Sequence, residues 1–446
     1  MNLLNCLRML NHSCEVRIED GEYVDISRTG ILGMNQKQSS VRLNNGIISG
    51  ISCSGRTKLI DTILYDATNA GKAVIYVRNR VNSQVSGQYG TMIESGAGGN
   101  KAVIININRQ SDGINLLKGM PLDRIRDSLI EIMSNYILID DGMKDFCITW
   151  YNKIFEVLKL SVPKEKIRLN GMEQYTFDWL KARYDRLYKN RRLRQTDYDV
   201  LVKDLQKIRN IYQAQMIKFM DFARIIKTSG IARLLSGAVT LREIYEQGMI
   251  LMVNLCEGVN PRESAVFLKL LLQRLLIEET LHHSGAVCVF EDCNIKNNAM
   301  LFLDLLKAVQ AKKDSGSIYF TERNITWWRE NLSQLNEHPA GYCNSFFIFR
   351  QGNPEDLKFW SALSGATKKT EVTHNSAPLA CVHPLEASSW GNFILNCCMV
   401  YTGSSSREID TYRIEAREID ELDDNSCIAI IKMEKEIYNR RVTWNE

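Results

Sequence analysis

The stretch from Gly46 to Val77 constrains this chain more than any other. It reads as an apolar strand (Gly46-Ile47-Ile48-Ser49), a glycine-bearing loop from Gly50 to Thr57, apolar residues at helical spacing (Leu59, Ile60, Ile63, Leu64) and a second apolar strand (Ala73-Val74-Ile75-Tyr76-Val77). Strand, loop, helix and strand in that order make a βαβ unit, whose strands run parallel because the helix returns the chain to its starting edge. The fold class expected is therefore α/β, a parallel sheet covered by helices.

The alternation breaks and then resumes. From about 121 to 236 the apolar residues follow helical periodicity with few strand signals, as in Leu122, Ile125, Leu129, Ile130 and Met133, so an all-helical insertion is expected. Strand and helix alternate again through Met249 to Val253, Ser264 to Leu276, Ala286 to Phe290, Ala299 to Lys312 and Ser317 to Phe320. Further apolar strands are expected at Phe346 to Phe349, Phe393 to Leu395 and Cys427 to Ile431, the last followed by polar residues from Lys432 to Tyr438. Near the start, short alternating runs (Val16, Ile18; Tyr23, Val24, Ile26) read as a small β region.

Composition narrows the function classes. At 446 residues the chain exceeds what one core usually serves, and its 7 prolines leave little room for extended linkers. A net charge of +4 is too small to imply nucleic-acid binding, so any such contact must come from a local patch. The 12 cysteines sit singly in apolar stretches and read as reduced, buried thiols. Neither Cys397-Cys398 nor Cys288 and Cys293 has a partner pair at zinc-ligand spacing. No run approaches the roughly 18 to 20 apolar residues of a membrane span, and no secretory signal is read at the start. A cytoplasmic protein is expected, on its own or docked on a membrane partner.

Gly50-Ile51-Ser52-Cys53-Ser54-Gly55-Arg56-Thr57 matches the phosphate-loop pattern G-x-x-x-x-G-K-[ST] at every fixed position except the lysine, which is Arg56. In such a loop the amides and the helix N-terminus hold phosphate, the cation reaches the outer oxygens and the hydroxyl holds Mg²⁺. Gly50, Ser52, Ser54, Gly55, Arg56 and Thr57 are the candidate nucleotide-binding residues. The guanidinium keeps the charge of lysine but not its compact shape. The strand ending in Glu291-Asp292 has the form of the acidic strand that puts one carboxylate on the metal and another on the attacking water, which makes Thr57 and Glu291 candidate Mg²⁺ ligands and Asp292 a candidate base. The plainer readings are a glycine turn and a pair of solvated acids at a strand end.

Beside these motifs the sequence resembles the coupling ATPases of conjugation and type IV secretion, within the FtsK and HerA translocase group. The resemblance runs through nearly the whole chain. It rests on Gly30-Ile31-Leu32-Gly33 before the loop, the helical insertion, Gly248-Met249-Ile250-Leu251-Met252-Val253-Asn254-Leu255, and Lys313, Gly316 and Ser317 to Thr321-Glu322. It continues through Asn353-Pro354-Glu355-Asp356, Phe359-Trp360-Ser361, Gly365, Arg413, Glu418-Ile419 and Leu422. The resemblance implies a RecA-like P-loop NTPase core with an inserted all-helical domain. It divides the chain at 1–120 (small β region and first part of the core), 121–236 (helical insertion) and 237–446 (second part of the core and C-terminal segment). It also implies ATP and Mg²⁺ as cofactors, a homo-hexameric ring with Lys313 facing a neighbour's site, and DNA or a secreted protein as cargo. The family's amino-terminal membrane anchor is absent from the sequence as read.

The departures fall where chemistry would happen. Arg56 replaces lysine, Glu291-Asp292 reverses Asp-Glu, Lys313 stands for an arginine, Glu322 for the glutamine that senses γ-phosphate, and Arg78-Asn79-Arg80 for Asp-x-Lys. Phosphoryl transfer depends on positioning and pre-aimed charge, so slow or absent hydrolysis is expected from Glu291, Asp292, Glu322 and Lys313. Two functions stay open: nucleotide-dependent translocation, and a non-hydrolysing scaffold or adaptor that recruits partners through its helical domain. A further patch, Lys181, Arg183, Arg186, Lys189, Arg191, Arg192 and Arg194 with Tyr184 and Tyr188, is expected on one helix. It reads either as a single-stranded nucleic-acid face, with tyrosines to stack bases, or as a solvated helix with Asp185 pairing locally.

Overall fold

In the computed structural model the described residues are 15–17, 23–25, 45–51, 54–79, 88–94, 102–108, 111–160, 169–281, 285–295, 298–311, 316–322, 339–378, 399–432 and 437–443. Ser52, Lys313, Gly30 to Gly33 and the expected strand Phe393 to Leu395 lie outside them.

The first half of the sheet comes from β1 (Glu15–Arg17), β2 (Tyr23–Asp25), β3 (Asn45–Ser49), β4 (Val74–Arg78) and β5 (Ala102–Asn106), with α1 (Ser54–Asn69) and α2 (Gln88–Glu94) between strands. After the short β6 (Ile114–Asn115), every described element up to 234 is helical: α3 (Leu122–Ser134), α4 (Asp141–Leu160), a 3-10 turn (Leu169–Gln174), α5 (Phe177–Lys189), α6 (Gln195–Ile211), α7 (Gln213–Thr228) and α8 (Gly230–Leu234). β7 (Val239–Thr240) pairs with β6 in parallel and closes this segment at its base. Then follow α9 (Leu241–Gln247), β8 (Ile250–Asn254), α10 (Pro261–Leu281), β9 (Val287–Glu291), α11 (Ala299–Gln310), β10 (Ser317–Glu322), β11 (Ser345–Ile348) and α12 (Pro354–Leu363). The last elements are β12 (Ala366–Pro378), β13 (Met399–Tyr412), α13 (Ala416–Asp420), β14 (Ser426–Lys432) and β15 (Ile437–Thr443).

The main sheet has 11 strands in the order β2-β1-β15-β14-β11-β3-β10-β9-β4-β8-β5. From β11 to β5 all neighbours are parallel, as the βαβ reading requires. β14, β15, β1 and β2 extend it antiparallel. Side chains alternate between two cores because strand periodicity is two. Ile48, Val74, Tyr76 and Val289 pack on one face with Leu59, Ile60, Ile63 and Leu64 of α1. Ile47, Ile75, Val77 and Phe290 pack on the other with α10 and α11, and that core runs without a break into Phe146, Trp150, Phe219 and Phe222 of the helical segment.

Two regions depart from expectation. Ile437–Thr443, which includes the end of the expected polar stretch, is a strand paired to β14. β12 and β13 form a 13- by 14-residue antiparallel ribbon, although their Thr, Ser, Lys and Glu residues carry no apolar alternation. Their strand state comes from cross-strand backbone pairing, which leaves no mark in hydrophobic pattern. Among the described residues no helix is long and apolar enough to cross a membrane, and the described cysteines, 147, 256, 288, 293, 343 and 427, are all buried and in no disulfide.

Candidate functional site

The carboxyl ends of β3, β10, β9, β4 and β8 form one rim, the place where open α/β sheets bind ligands. Each element delivers its candidate there: β3 leads into Gly50, β10 ends at Glu322, β9 at Glu291 and β4 at Arg78. Parallel register aligns Glu322 with Ser49 and Arg78 with Glu291. The two halves of the chain thus meet at the rim.

The glycines of the loop are explained by the chain itself. Gly50 has φ +128, and a Cβ there would come within 2.8 Å of Phe349 Cβ and 2.9 Å of the Phe349 carbonyl oxygen. A Cβ on Gly55 would lie 2.9 Å from the Asp424 carbonyl oxygen. The described amides follow the same pattern: Gly50 N–H donates to the Glu322 carbonyl at 2.9 Å, Ile51 N–H to Arg350 at 3.2 Å and Gly55 N–H to Asp424 at 3.0 Å. The segments after β11 and before β14 therefore press on the loop from its outer side. Gln351, also buried, donates to Ser49 Oγ at 2.9 Å.

Arg56 sits in the first turn of α1 with 1% of its surface exposed. Its Nη2 donates to Asp292 Oδ2 at 2.6 Å, and Asp292 keeps 23% of its side chain exposed. Asp292 has φ +52, uncommon for a residue with a side chain. Thr321 holds that conformation: Asp292 N–H donates to Thr321 Oγ1 at 2.7 Å, and Thr321 Oγ1 donates to Asp292 Oδ1 at 3.2 Å. Glu291, expected in a metal shell, is fully buried, and its Oε2 accepts the Tyr76 hydroxyl. Asp292 is thus the acid that meets α1, while Glu291 faces the interior. Thr57 and Glu322 are half-buried near the same rim, and the Ser54 side chain is outside the described atoms.

Sequence reasoning missed Glu257 and the part that Asn79, named there only within Arg78-Asn79-Arg80, plays beside it. Asn79 Nδ2 donates to Glu257 Oε2 at 2.8 Å and to the Asp292 carbonyl at 3.3 Å, while Glu257 N–H donates to Asn79 Oδ1 at 2.9 Å. Glu257 Oε1 accepts the Asn294 N–H at 3.1 Å. Partial burial raises the Glu257 carboxyl above its ordinary range, offset in part by that amide. The preceding residue, Cys256, has φ +53, so two strained residues flank the Asn79 hub. The signal was an acid shortly after a second buried strand, the pattern already noticed at Glu291-Asp292. The Cys293 thiol lies among these acids and is pushed well above its usual value, first by burial, then by Glu257, Glu291, Asp292 and Glu322.

The basic patch does not form one helix face. α5 ends at Lys189, Arg191 has φ +54, and Arg192 and Arg194 lie in the turn before α6. Tyr184 is buried and cannot stack a base, while Tyr188 stacks on Tyr198 at 4.8 Å between centroids. Asp185 accepts the Tyr198 hydroxyl at 2.7 Å, and Arg183 lies over the Trp179 ring. Lys181, Arg186, Lys189, Arg191, Arg192 and Arg194 are exposed, with no ion pair to an acid among the described residues.

A parallel sheet with a glycine loop opening a helix and an acidic strand two places away defines a protein of the P-loop fold. No protein-family model and no curated protein matches the sequence. Solved structures do. The unbound monoclinic form of the bacterial conjugative coupling protein TrwBdeltaN70 is similar at TM-score 0.54 and 11% identity, covering 97% of this chain and 93% of that one. VirB4 of Thermoanaerobacter pseudethanolicus is similar at TM-score 0.50 and 13% identity, covering 98% and 97%. The chain has the fold of these two proteins.

Mg²⁺ with ATP, the pair this fold class implies, does not fit the described residues. The Gly55 amide already serves a backbone carbonyl, and the loop cation is paired with Asp292.

Proposed function

We propose that this chain is a non-hydrolysing scaffold or adaptor with the fold of a conjugative coupling protein, its phosphate loop closed on its own backbone. The observation that carries this reading is the Gly55 N–H, 3.0 Å from the Asp424 carbonyl. A P-loop cradles phosphate with its backbone N–H groups, and this amide is already spent. The glycines at 50 and 55 then serve close packing against Phe349 and Asp424 rather than access for a ligand.

In this reading the divisions 1–120, 121–236 and 237–446 describe a core and its recruiting helical part, with the exposed cations of α5 and its turn as a partner surface. The protein works in the cytoplasm or docks on a membrane complex through a partner. The motor reading, a hexameric ATP- and Mg²⁺-dependent translocase of DNA or secreted protein with Lys313 reaching a neighbour, draws support from the fold. It requires the Arg350 and Asp424 segments to withdraw from the loop.

Phosphate release from ATP with Mg²⁺, measured with and without single-stranded DNA, separates the two. Background release is expected, unchanged by Thr57→Ala, with no rise in melting temperature on adding ATP. Turnover above background that Thr57→Ala removes overturns the scaffold reading.

A further inference from the structure

We infer that Arg56 is a resident cation: its guanidinium takes the place of a divalent metal at Asp292, so this rim carries its own positive charge and takes up no Mg²⁺. The inference rests on the reading above that the site does not turn over nucleotide, and it concerns the metal alone.

Three observations converge on it. Both Asp292 carboxylate oxygens are used, Oδ2 by Arg56 Nη2 at 2.6 Å and Oδ1 by the Thr321 hydroxyl at 3.2 Å. The guanidinium is 1% exposed, so it is packed in place rather than sampling solvent. The left-handed φ of +52 at Asp292 turns its carboxylate toward α1, away from the buried face that Glu291 occupies with Tyr76. A hydrated Mg²⁺ needs one or two free carboxylate oxygens with room for its waters. Here a planar, always-charged group is paired with the acid that meets α1, and unlike a metal it cannot dissociate. Glu291, Glu322 and Glu257 lie near enough to act on the same buried thiol, Cys293. Without Arg56, Asp292 would lose its 2.6 Å ion-pair partner, and even with Arg78 still buried at the end of β4 an acid released beside Glu291 and Glu322 is a ligand that a divalent cation can take.

The test titrates Mn²⁺, a Mg²⁺ surrogate with a paramagnetic signal, into the full-length protein without nucleotide. Wild type is expected to leave the free Mn²⁺ signal unchanged through the millimolar range. Arg56→Gln is expected to gain one Mn²⁺ site and a metal-dependent rise in melting temperature, both lost in Arg56→Gln combined with Asp292→Asn. Arg56→Lys retains a cation and is expected to gain none. A wild-type Mn²⁺ site abolished by Asp292→Asn overturns the inference, as does a folded Arg56→Gln that gains no site. Should Arg56→Gln not fold, the wild-type and Arg56→Lys titrations still decide, since a site in either sinks it. No nucleotide is present, so this result stands apart from the turnover test.

Discussion

Gly55 shows how one residue can satisfy a motif for a different reason. Its missing side chain is required because a Cβ would lie 2.9 Å from the Asp424 carbonyl oxygen. Gly55→Ala therefore forces backbone to move, an overpacking change that should cost about 1–3 kcal/mol. A lowered urea midpoint with an unchanged slope is expected, and a midpoint equal to wild type would show that the 421–425 turn does not press on the loop. Glu257 lends itself to a pH test. Its carboxyl is raised by burial, so the folded state binds more protons than the unfolded one between the ordinary and the raised value, and stability falls as pH rises through that window. Glu257→Gln keeps an acceptor for the Asn294 amide without the charge. Its stability relative to wild type should be smallest at acid pH and grow toward neutral, as followed by denaturant midpoints across pH. A constant difference would assign Glu257 no such linkage. Asn79 was noticed only as part of Arg78-Asn79-Arg80 and Glu257 not at all, because polar residues after a strand look like solvated loop until the neighbouring strand ends are placed beside them.

Among elements, α10 carries the largest concealed charge. Arg274 and Glu278, one turn apart, form an ion pair with both side chains buried, and Glu279 accepts the Tyr245 hydroxyl at 2.7 Å and the Ala286 N–H at 3.2 Å. Removing one partner of a buried pair strands the other, at about 3–5 kcal/mol, whereas apolar replacement of both is often close to neutral. Arg274→Met should therefore destabilise more than Arg274→Met with Glu278→Leu, and thermal unfolding of both variants checks the order. The α5 turn is the element whose sequence signal was partly misleading. Its charge density was legible, but the chain reverses at Arg191 and packs Tyr184 inward, so the cations face solvent with Tyr188, whose ring is taken by Tyr198. If that surface meets a polyanion, changing Lys189, Arg191 and Arg192 to glutamine should flatten the salt dependence of single-stranded DNA binding by about 2 in log–log slope. An unchanged slope would make the patch a solvated face.

Across the whole molecule, the core on one side of the sheet continues into the helical segment through Trp150, Phe219 and their neighbours. A shared core couples the stability of the parts it joins. Hydrogen exchange in α4 and in β9 should accordingly reach its most protected limit together as denaturant is raised. Earlier loss of α4 protection would make the helical segment an independent unit.

The sequence alone determined the α/β class, the parallel direction of the central strands and the helical interruption between the two parts of the sheet. These follow from local periodicity and from the handful of ways a βαβ chain can close. Tertiary structure alone decided which acid faces Arg56, that the Gly55 and Ile51 amides serve Asp424 and Arg350, and that β15 and the β12–β13 ribbon are strands at all. Each depends on contacts between residues far apart in the chain, and on backbone hydrogen bonds that any side chain permits, so neither spacing nor residue type could carry them.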